Sequence, residues 1–368
     1  MIRPKPSWRV VGLTAMTVSL ACAEKKPVPN GEIQPIAHIQ LDSNRAVEVI
    51  GLRWWAADAL RDSLNKYSPG EGLDSPNLAV NLRSKLHFAD AGVHSSEQVF
   101  DENETVLLTV AVREPRDSAR VHYVPQRLDS AARILDWKGI ATRLAGEGNA
   151  HLLAVVAARQ VRGLPRTIVD SSVKPHPVTT PIGYAFETPE DSVAARPLLD
   201  AIGTRTTDRD LSMAIQTIDM STSLPDRVAA ALILSNFPQR DEAWRALVKA
   251  AVGQQQAADA DVARQVLGEM AERFPRHVDW TPVASIIHDA LEGTAVMSLP
   301  AISGALARTG ATPANAKAWL AGGGEMLVAY IESTNAELSE PAHRLLIALR
   351  GSDLGGDVET WRAWIRTL

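Results

Sequence analysis

The stretch DEAWRALVKAAV, residues 241–252, decides the fold of this chain. Apolar residues follow Trp244 at three, four, seven and eight positions, which is the spacing of one face of an α-helix. Asp241 precedes the tryptophan, and a carboxylate at that place is typical of a helix N-cap. The stretch therefore predicts an amphipathic helix that buries one tryptophan.

The same pattern recurs three more times toward the C-terminal end. Successive tryptophans are separated by 36, 39 and 42 residues, and each follows a residue of the helix-capping type. A second apolar segment with helical spacing precedes each of them, so the sequence predicts four helix pairs between residues 224 and 368. The third pair is interrupted by the glycines at residues 322–324. The tryptophans are Trp244, Trp280, Trp319 and Trp361, and the capping residues are Asp241, Asp279, Asn315 and Asp357.

Two further features resemble HEAT repeats. The run GSDLGGDVETWRAW, residues 351–364, is similar to the glycine-rich, Asp-then-Trp-x-x-Trp ending that follows HEAT arrays in many bacterial proteins. Residues 229–232, three alanines and a leucine, are similar to the first helices of such repeats, whose period is near 40 residues. The resemblance implies a mainly α fold, an α-solenoid of antiparallel helix pairs over residues 224–368. An unrelated all-α array of armadillo or TPR type is the alternative.

The first 22 residues indicate export. Three cations among the first nine residues precede an apolar run, residues 10–21, that is too short to span a bilayer comfortably. The next residue is Cys22, and the segment Ser-Leu-Ala-Cys resembles a bacterial lipobox, except that Ser19 stands where leucine is preferred. The resemblance implies lipidation of Cys22 and an anchor at the periplasmic face of a membrane. Ordinary cleavage nearby, which would give a secreted protein, is the alternative.

Composition narrows the classes of partner. Cys22 is the only cysteine, which excludes an internal disulfide and a thiolate metal site. Removal of residues 1–21 leaves 35 basic against 43 acidic side chains, a net charge near −8. This balance argues against nucleic acid as a partner, because phosphate binding requires a cationic surface. Residues 23–43 contain lysine, proline and glycine without apolar periodicity, and they are predicted to form a flexible tether.

Residues 129–223 are predicted to contain irregular helical repeats. Trp137 leads an apolar face with helical spacing, as in the clear repeats, and marks a candidate fifth unit. Residues 164–191 carry five prolines and break the pattern. They predict an extended insertion, which is either a binding element or a passive surface loop.

Residues 44–128 are predicted to form a less regular N-terminal region. Ala46–Leu64 and Asn77–Phe88 have the apolar spacing of helices. Thr105–Val112 is rich in valine and leucine and predicts a strand, paired in a β-hairpin with Ala119–Val124. A buried helix is the alternative for the first of these two segments.

Motifs of known reactions do not occur in the sequence. It has no GxSxG elbow, no Walker loop, no HExxH and no GxGxxG after a strand. His87, Asp90 and His94 would share one face if a helix continued that far, and imidazole with carboxylate could hold a divalent metal. A chance grouping on a polar loop is the alternative, and Gly92 disfavours a continuous helix. We predict no cofactor. Trp55 is the candidate for partner binding, because exposed tryptophans mark interaction hot spots.

Together these patterns predict a non-catalytic scaffold or adaptor at the bacterial cell envelope. Its partner is predicted to be a protein or peptide bound on the helical-repeat surface, because repeats build extended surfaces and seldom carry catalytic residues. The alternative is a metal-binding protein or hydrolase with its site in residues 44–128 and the repeats as an accessory.

Overall fold

The computed structural model describes residues 31–125 except 43, 68, 70–71, 74–76 and 101–102, residues 137 and 140, and residues 201–368 except 254–257. This part of the chain is mainly helical and includes a small mixed sheet of four strands. The predicted signal segment with Cys22 and the predicted proline-rich insertion at 164–191 lie outside the described residues. Within them no single helix has the length and hydropathy to cross a bilayer, although one bent pair, Thr281–Glu292 and Val296–Arg308, meets that test jointly.

The sheet has the strand order β1-β2-β4-β3. β1 and β2 are antiparallel, β2 and β4 are parallel, and β4 and β3 are antiparallel. Helices α1 and α2 connect β2 to β3 and cover one face of the sheet with an apolar cluster. The elements are β1 Ala37–Gln40, β2 Arg45–Ile50, α1 Ala57–Tyr67, α2 Leu78–Leu86, β3 Asp90–Phe100 and β4 Asn103–Arg113.

Two predictions for residues 44–128 are wrong, and two are confirmed. The segment Ala46–Leu64 is not one helix: β2 occupies its first part, because alternating apolar residues there pair with two neighbouring strands. β4 is a strand as predicted, but its hairpin partner is β3, because Pro115 starts a 3-10 turn that runs to Arg120. The predicted tether contains β1. α2 confirms the second predicted helix.

The C-terminal half contains the four predicted helix pairs. They are α4 with α5, α6 with α7, α8 with α9, and α11 with α12; the glycines at 322–324 separate α9 from the short helix α10. The first helices contact one another in chain order, α4 with α6, α6 with α8 and α8 with α11. The bounds are α3 Asp208–Met220, α4 Leu224–Leu234, α5 Asp241–Ala251, α6 Ala258–Arg273, α7 Ala284–Glu292, α8 Leu299–Arg308, α9 Pro313–Leu320, α10 Glu325–Tyr330, α11 Ala336–Arg350 and α12 Val358–Ile365. Residues 201–368 are here called the array.

The four repeat tryptophans are buried in the core of the array, each at most 3% exposed. The indole N–H of Trp244 donates to the carbonyl of Pro238 at 2.9 Å, and that of Trp361 donates to the carbonyl of Gly355 at 2.7 Å. In both cases the acceptor lies six residues earlier, so the ring ties its helix to the preceding loop. Trp137 is buried in the same core.

The capping residues behave less uniformly than predicted. Asp357 is the N-cap of α12 and accepts from the backbone N–H of Glu359. Asp241 is instead the first residue of α5, and its carboxylate accepts from the backbone N–H of Asp279, between α6 and α7, at 3.0 Å. The N-cap of α9 is Thr312, and the predicted cap three residues later completes its capping box. An acidic residue at the start of a helix can therefore join neighbouring helix pairs rather than cap its own helix.

Candidate functional site

The sheet face opposite α1 and α2 is buried against the array. Two methionines of the array lie over two glycines of the sheet. A Cβ on Gly92 would lie 2.4 Å from Cγ of Met297, and a Cβ on Gly51 would lie 3.0 Å from Cε of Met326. Gly51 also has φ +94°, a conformation that glycine adopts without strain. We call this interface the seam.

Glu48 on β2 holds the seam at one end. Its carboxylate is buried, yet it accepts from the Ser333 hydroxyl at 2.7 Å, the Thr334 hydroxyl at 2.5 Å and the Thr334 backbone N–H at 3.0 Å. His38 on β1 lies 3.6 Å away. A buried carboxylate needs such donors, because without them it would be costly to remove from water.

Asp90 on β3 holds the seam at a second point. Its buried carboxylate accepts from the backbone N–H of Val296 at 3.0 Å and of Ala91 at 2.7 Å. Burial raises the pKa of Asp90 to about 6, and the hydrogen bonds from Val296, Tyr123 and Ala91 together with the charge of Arg83 offset only part of that rise.

Between these points lies a group of three guanidinium groups and three carboxylates, here called the charge cluster. Arg113, at the end of β4, is fully buried and lies 3.6 Å from Glu292 and 3.9 Å from Asp117. Arg120 lies 3.0 Å from the Glu292 carboxylate, and Arg53 lies 3.3 Å from Asp117. The members are Arg53, Arg113, Arg120, Asp117, Glu292 and Glu325.

The charge cluster is electrically balanced and largely removed from solvent. Burial raises the pKa of Glu292, while the neighbouring Arg120 and Arg113 lower it, and burial lowers the pKa of Arg113. Charges that neutralise one another inside an interface fix the relative position of its two sides. The cluster therefore places opposite charges within 4 Å of one another where the sheet meets the array.

A small polar group lies at the rim of the charge cluster. The Asp289 carboxylate is 3.5 Å from Nδ1 of His122 and 3.4 Å from Nδ1 of His288. Nε2 of His288 lies 3.2 Å from the carbonyl of Ala321. Across the described parts of the chain, no group of three or more His, Cys, Asp or Glu side chains is arranged to hold a metal ion.

An irregular segment, Gly31–Ile36, passes between the sheet and the end of the array and is here called the strap. It runs without helix, turn or bend, and Ile33 is buried in the core of the array. The Arg362 guanidinium donates to the carbonyl of Ile33, and the backbone N–H of Ile36 donates to the Glu332 carboxylate, both at 3.2 Å. The array thus binds main-chain atoms of the strap.

A cavity of about 280 Å³ lies beside the strap. The side chains of Glu32 and Ile33 from the strap form part of its wall. Its wall combines apolar side chains with both signs of charge. They include Ile33, Val328 and Ile365, and Glu32, Glu325 and Arg366.

The structure does not bring the predicted site residues together as a metal centre. α2 ends before His87, which is exposed with φ 57°. Asp90 and His94 lie on the seam face of β3, where Asp90 binds backbone N–H groups and the His94 ring packs edge-on against Tyr330. Trp55 is partly buried, and its ring lies 5.6 Å from that of Phe88.

Comparison with protein-family models, with curated protein sequences and with solved structures finds no match for this chain. The proposals that follow rest on its own residues and geometry.

The raised pKa of Asp90 predicts a pH dependence of stability with a definite sign. Because the folded state binds this proton more tightly than the unfolded chain, Asp90 favours folding below the unfolded pKa, and this contribution is lost as pH rises through about 6. We expect the difference in unfolding free energy, wild type minus Asp90→Asn, to fall by roughly 2–3 kcal/mol between pH 4 and 7.5. Urea denaturation at several pH values measures it.

The control for this experiment is Asp357→Asn. A hydrogen bond from Thr360 lowers the pKa of the exposed Asp357, so its contribution changes only below the normal range of aspartate. The difference in unfolding free energy, wild type minus Asp357→Asn, should therefore stay constant between pH 4 and 7.5. A flat or rising difference for Asp90→Asn would contradict the assignment.

Proposed function

We propose that the protein is a non-catalytic scaffold or adaptor that binds a protein or peptide partner at the bacterial cell envelope. In this proposal residues 224–368 are a HEAT-like α-solenoid, and Cys22 carries a lipid that anchors the chain at the periplasmic face of a membrane. The order of contacts between the first helices supports the solenoid arrangement.

The observation that carries the proposal is the way the array holds the strap. Arg362 and Glu332 bind its main-chain carbonyl and N–H, while Ile33 enters an apolar site. Main-chain hydrogen bonds combined with a side-chain pocket are a general mode of peptide recognition. The charged side chains of the charge cluster lie within 4 Å of opposite charges, as expected for groups that join the sheet to the array.

Site-specific photocrosslinking in the native envelope tests this function. A photoreactive residue replaces Lys317 or Arg350, both exposed on the array, or Lys85, exposed on α2, as the matched control. We expect mass spectrometry to identify one envelope protein joined to the array positions and absent from the Lys85 position. Recovery of no partner, or equal recovery from all three positions, would contradict the scaffold proposal.

The same cell extracts test the anchor. Wild-type chain should sediment with membranes and incorporate a fatty-acid probe, whereas a Cys22→Ala chain should do neither. If wild type and Cys22→Ala behave alike, the proposal of a lipid anchor is wrong. The crosslinking experiment remains the test of the scaffold function.

A further inference from the structure

The strap makes the kinds of main-chain and side-chain contact with the array that a bound peptide would make. We propose that it is an intramolecular ligand of a peptide-binding groove, and that the partner inserts a segment of the same chemistry, an acidic residue followed directly by an aliphatic one. This inference rests on the proposed function, because it names the partner segment that such a scaffold would take. The groove is formed by the side chains of Val328, Glu332, Arg362, Ile365 and Arg366.

Main-chain contacts give the groove its preference for an unbent segment. Arg362 donates to the carbonyl of Ile33, and Glu332 accepts from the N–H of Ile36, three residues further along. Neither contact depends on the strap side chains. Any segment that keeps these two backbone groups at the same separation can make both contacts, so the groove is open to other sequences.

Side-chain contacts then restrict which sequences fit. Ile33 is 3% exposed and lies among buried residues of the array, so its position requires an aliphatic side chain. Glu32 lies 2.5 Å from Arg366, and both side chains are about half exposed. An exposed ion pair adds little affinity but fixes the register. The recognised pattern is therefore acidic, then aliphatic.

Unfilled space lies beside the strap, where a competing segment can enter the groove. The cavity of about 280 Å³ borders both Glu32 and Ile33, so the strap fills only part of the groove. On its other side the strap is tied to the sheet, through the N–H of Gln34 and the carbonyl of Leu52 at 2.7 Å. Because the strap is covalently attached, its effective concentration is high, and a free peptide must compete against it.

A labelled peptide with the sequence GEIQPIA, residues 31–37, tests the groove in the full-length chain. Fluorescence anisotropy should show at least tenfold tighter binding to an Ile33→Ala chain than to wild type, because that substitution weakens the competing strap. The matched control is Ile39→Ala, which removes the same atoms from the apolar cluster on the opposite sheet face. It should bind the peptide no better than wild type. Equal affinity for all three chains would overturn the proposal.

A charge exchange provides a second test that makes no further change in the core. Arg366 is exposed, so Arg366→Glu removes no buried side chain. In the Ile33→Ala background, Arg366→Glu should reverse the preference and bind a peptide carrying Lys in place of Glu32 about two- to fivefold more tightly than the original peptide. No change of preference would contradict the assigned register.

Two further outcomes distinguish this inference from the scaffold proposal and from dimer formation. If the peptide does not bind but crosslinking still identifies a partner on the array, the groove is wrong and the scaffold function stands. If wild type forms a concentration-dependent dimer in which the strap crosslinks between copies, the occupant is a second copy and the intramolecular assignment is overturned.

Discussion

Replacing Arg113 by methionine should lower the free energy of unfolding by about 3–5 kcal/mol. The guanidinium is fully buried between two carboxylates, Asp117 and Glu292. Its removal leaves the charge cluster with an excess of negative charge beside the buried carboxylates of Asp117 and Glu292. Burial already raises the pKa of Glu292, so the loss of a neighbouring cation will disfavour its charged form further. Urea denaturation measures the loss directly.

A double-mutant cycle shows whether the charges act together. Glu292→Gln alone should also destabilise the protein, but Arg113→Met with Glu292→Gln should cost at least about 1 kcal/mol less than the sum of the single effects. The control is Arg344→Met, the same substitution in an exposed ion pair with Glu340 at 3.5 Å, where about 0–1 kcal/mol is expected. An additive cycle, or an Arg113 effect no larger than that of Arg344, would show that the cluster does not hold the seam.

The second large effect is expected for Trp244→Ala, which should lower the free energy of unfolding by about 3–5 kcal/mol. Its ring is fully buried and lies edge-on to that of Trp280, 6.5 Å away. The substitution leaves a cavity between two repeats and also removes the donor to the Pro238 carbonyl. Both effects act on the same helix pair, so the loss should be concentrated there.

Trp54→Ala is the control for this substitution. Trp54 is only partly buried and its ring contacts the Arg116 guanidinium, so about 1 kcal/mol or less is expected. Hydrogen exchange should show faster opening of α4 to α7 in Trp244→Ala and little change in the sheet. A loss near 1 kcal/mol, or opening spread evenly over the chain, would contradict the role of the tryptophan as a repeat-phasing core residue.

The repeat helices could be predicted because their signals are local. A tryptophan, the apolar residues within eight positions of it and a nearby polar cap identify each helix, and the structure contains every predicted pair. The helix predicted over the β2 segment is wrong for a related reason. Val49, Ile50 and Trp54 also fit a helical face, and only pairing with β1 and β4, which is remote in sequence, makes the segment a strand.

The seam could not be predicted, because its contacts join residues hundreds of positions apart. Glu48 interrupts the apolar alternation of β2 and would ordinarily face water, yet it accepts from the hydroxyl groups of Ser333 and Thr334 in the array. The spacing of Asp90 and His94 suggests a metal site, but their neighbours in the structure are a backbone N–H and a tyrosine ring of the array. Charged residues within apolar strands are the only sequence signal of such a face.

The polar character of the seam face bears on how the chain reaches its native state. Glu48 and Ser333 are separated by 285 residues, and Ile36 and Glu332 by 296. Contacts of such sequence separation form late and slowly. During synthesis the sheet therefore cannot pack on the array until most of the chain has been made. A face bearing Glu48, Asp90 and Arg113 stays hydrated in that interval, whereas an apolar face would invite aggregation.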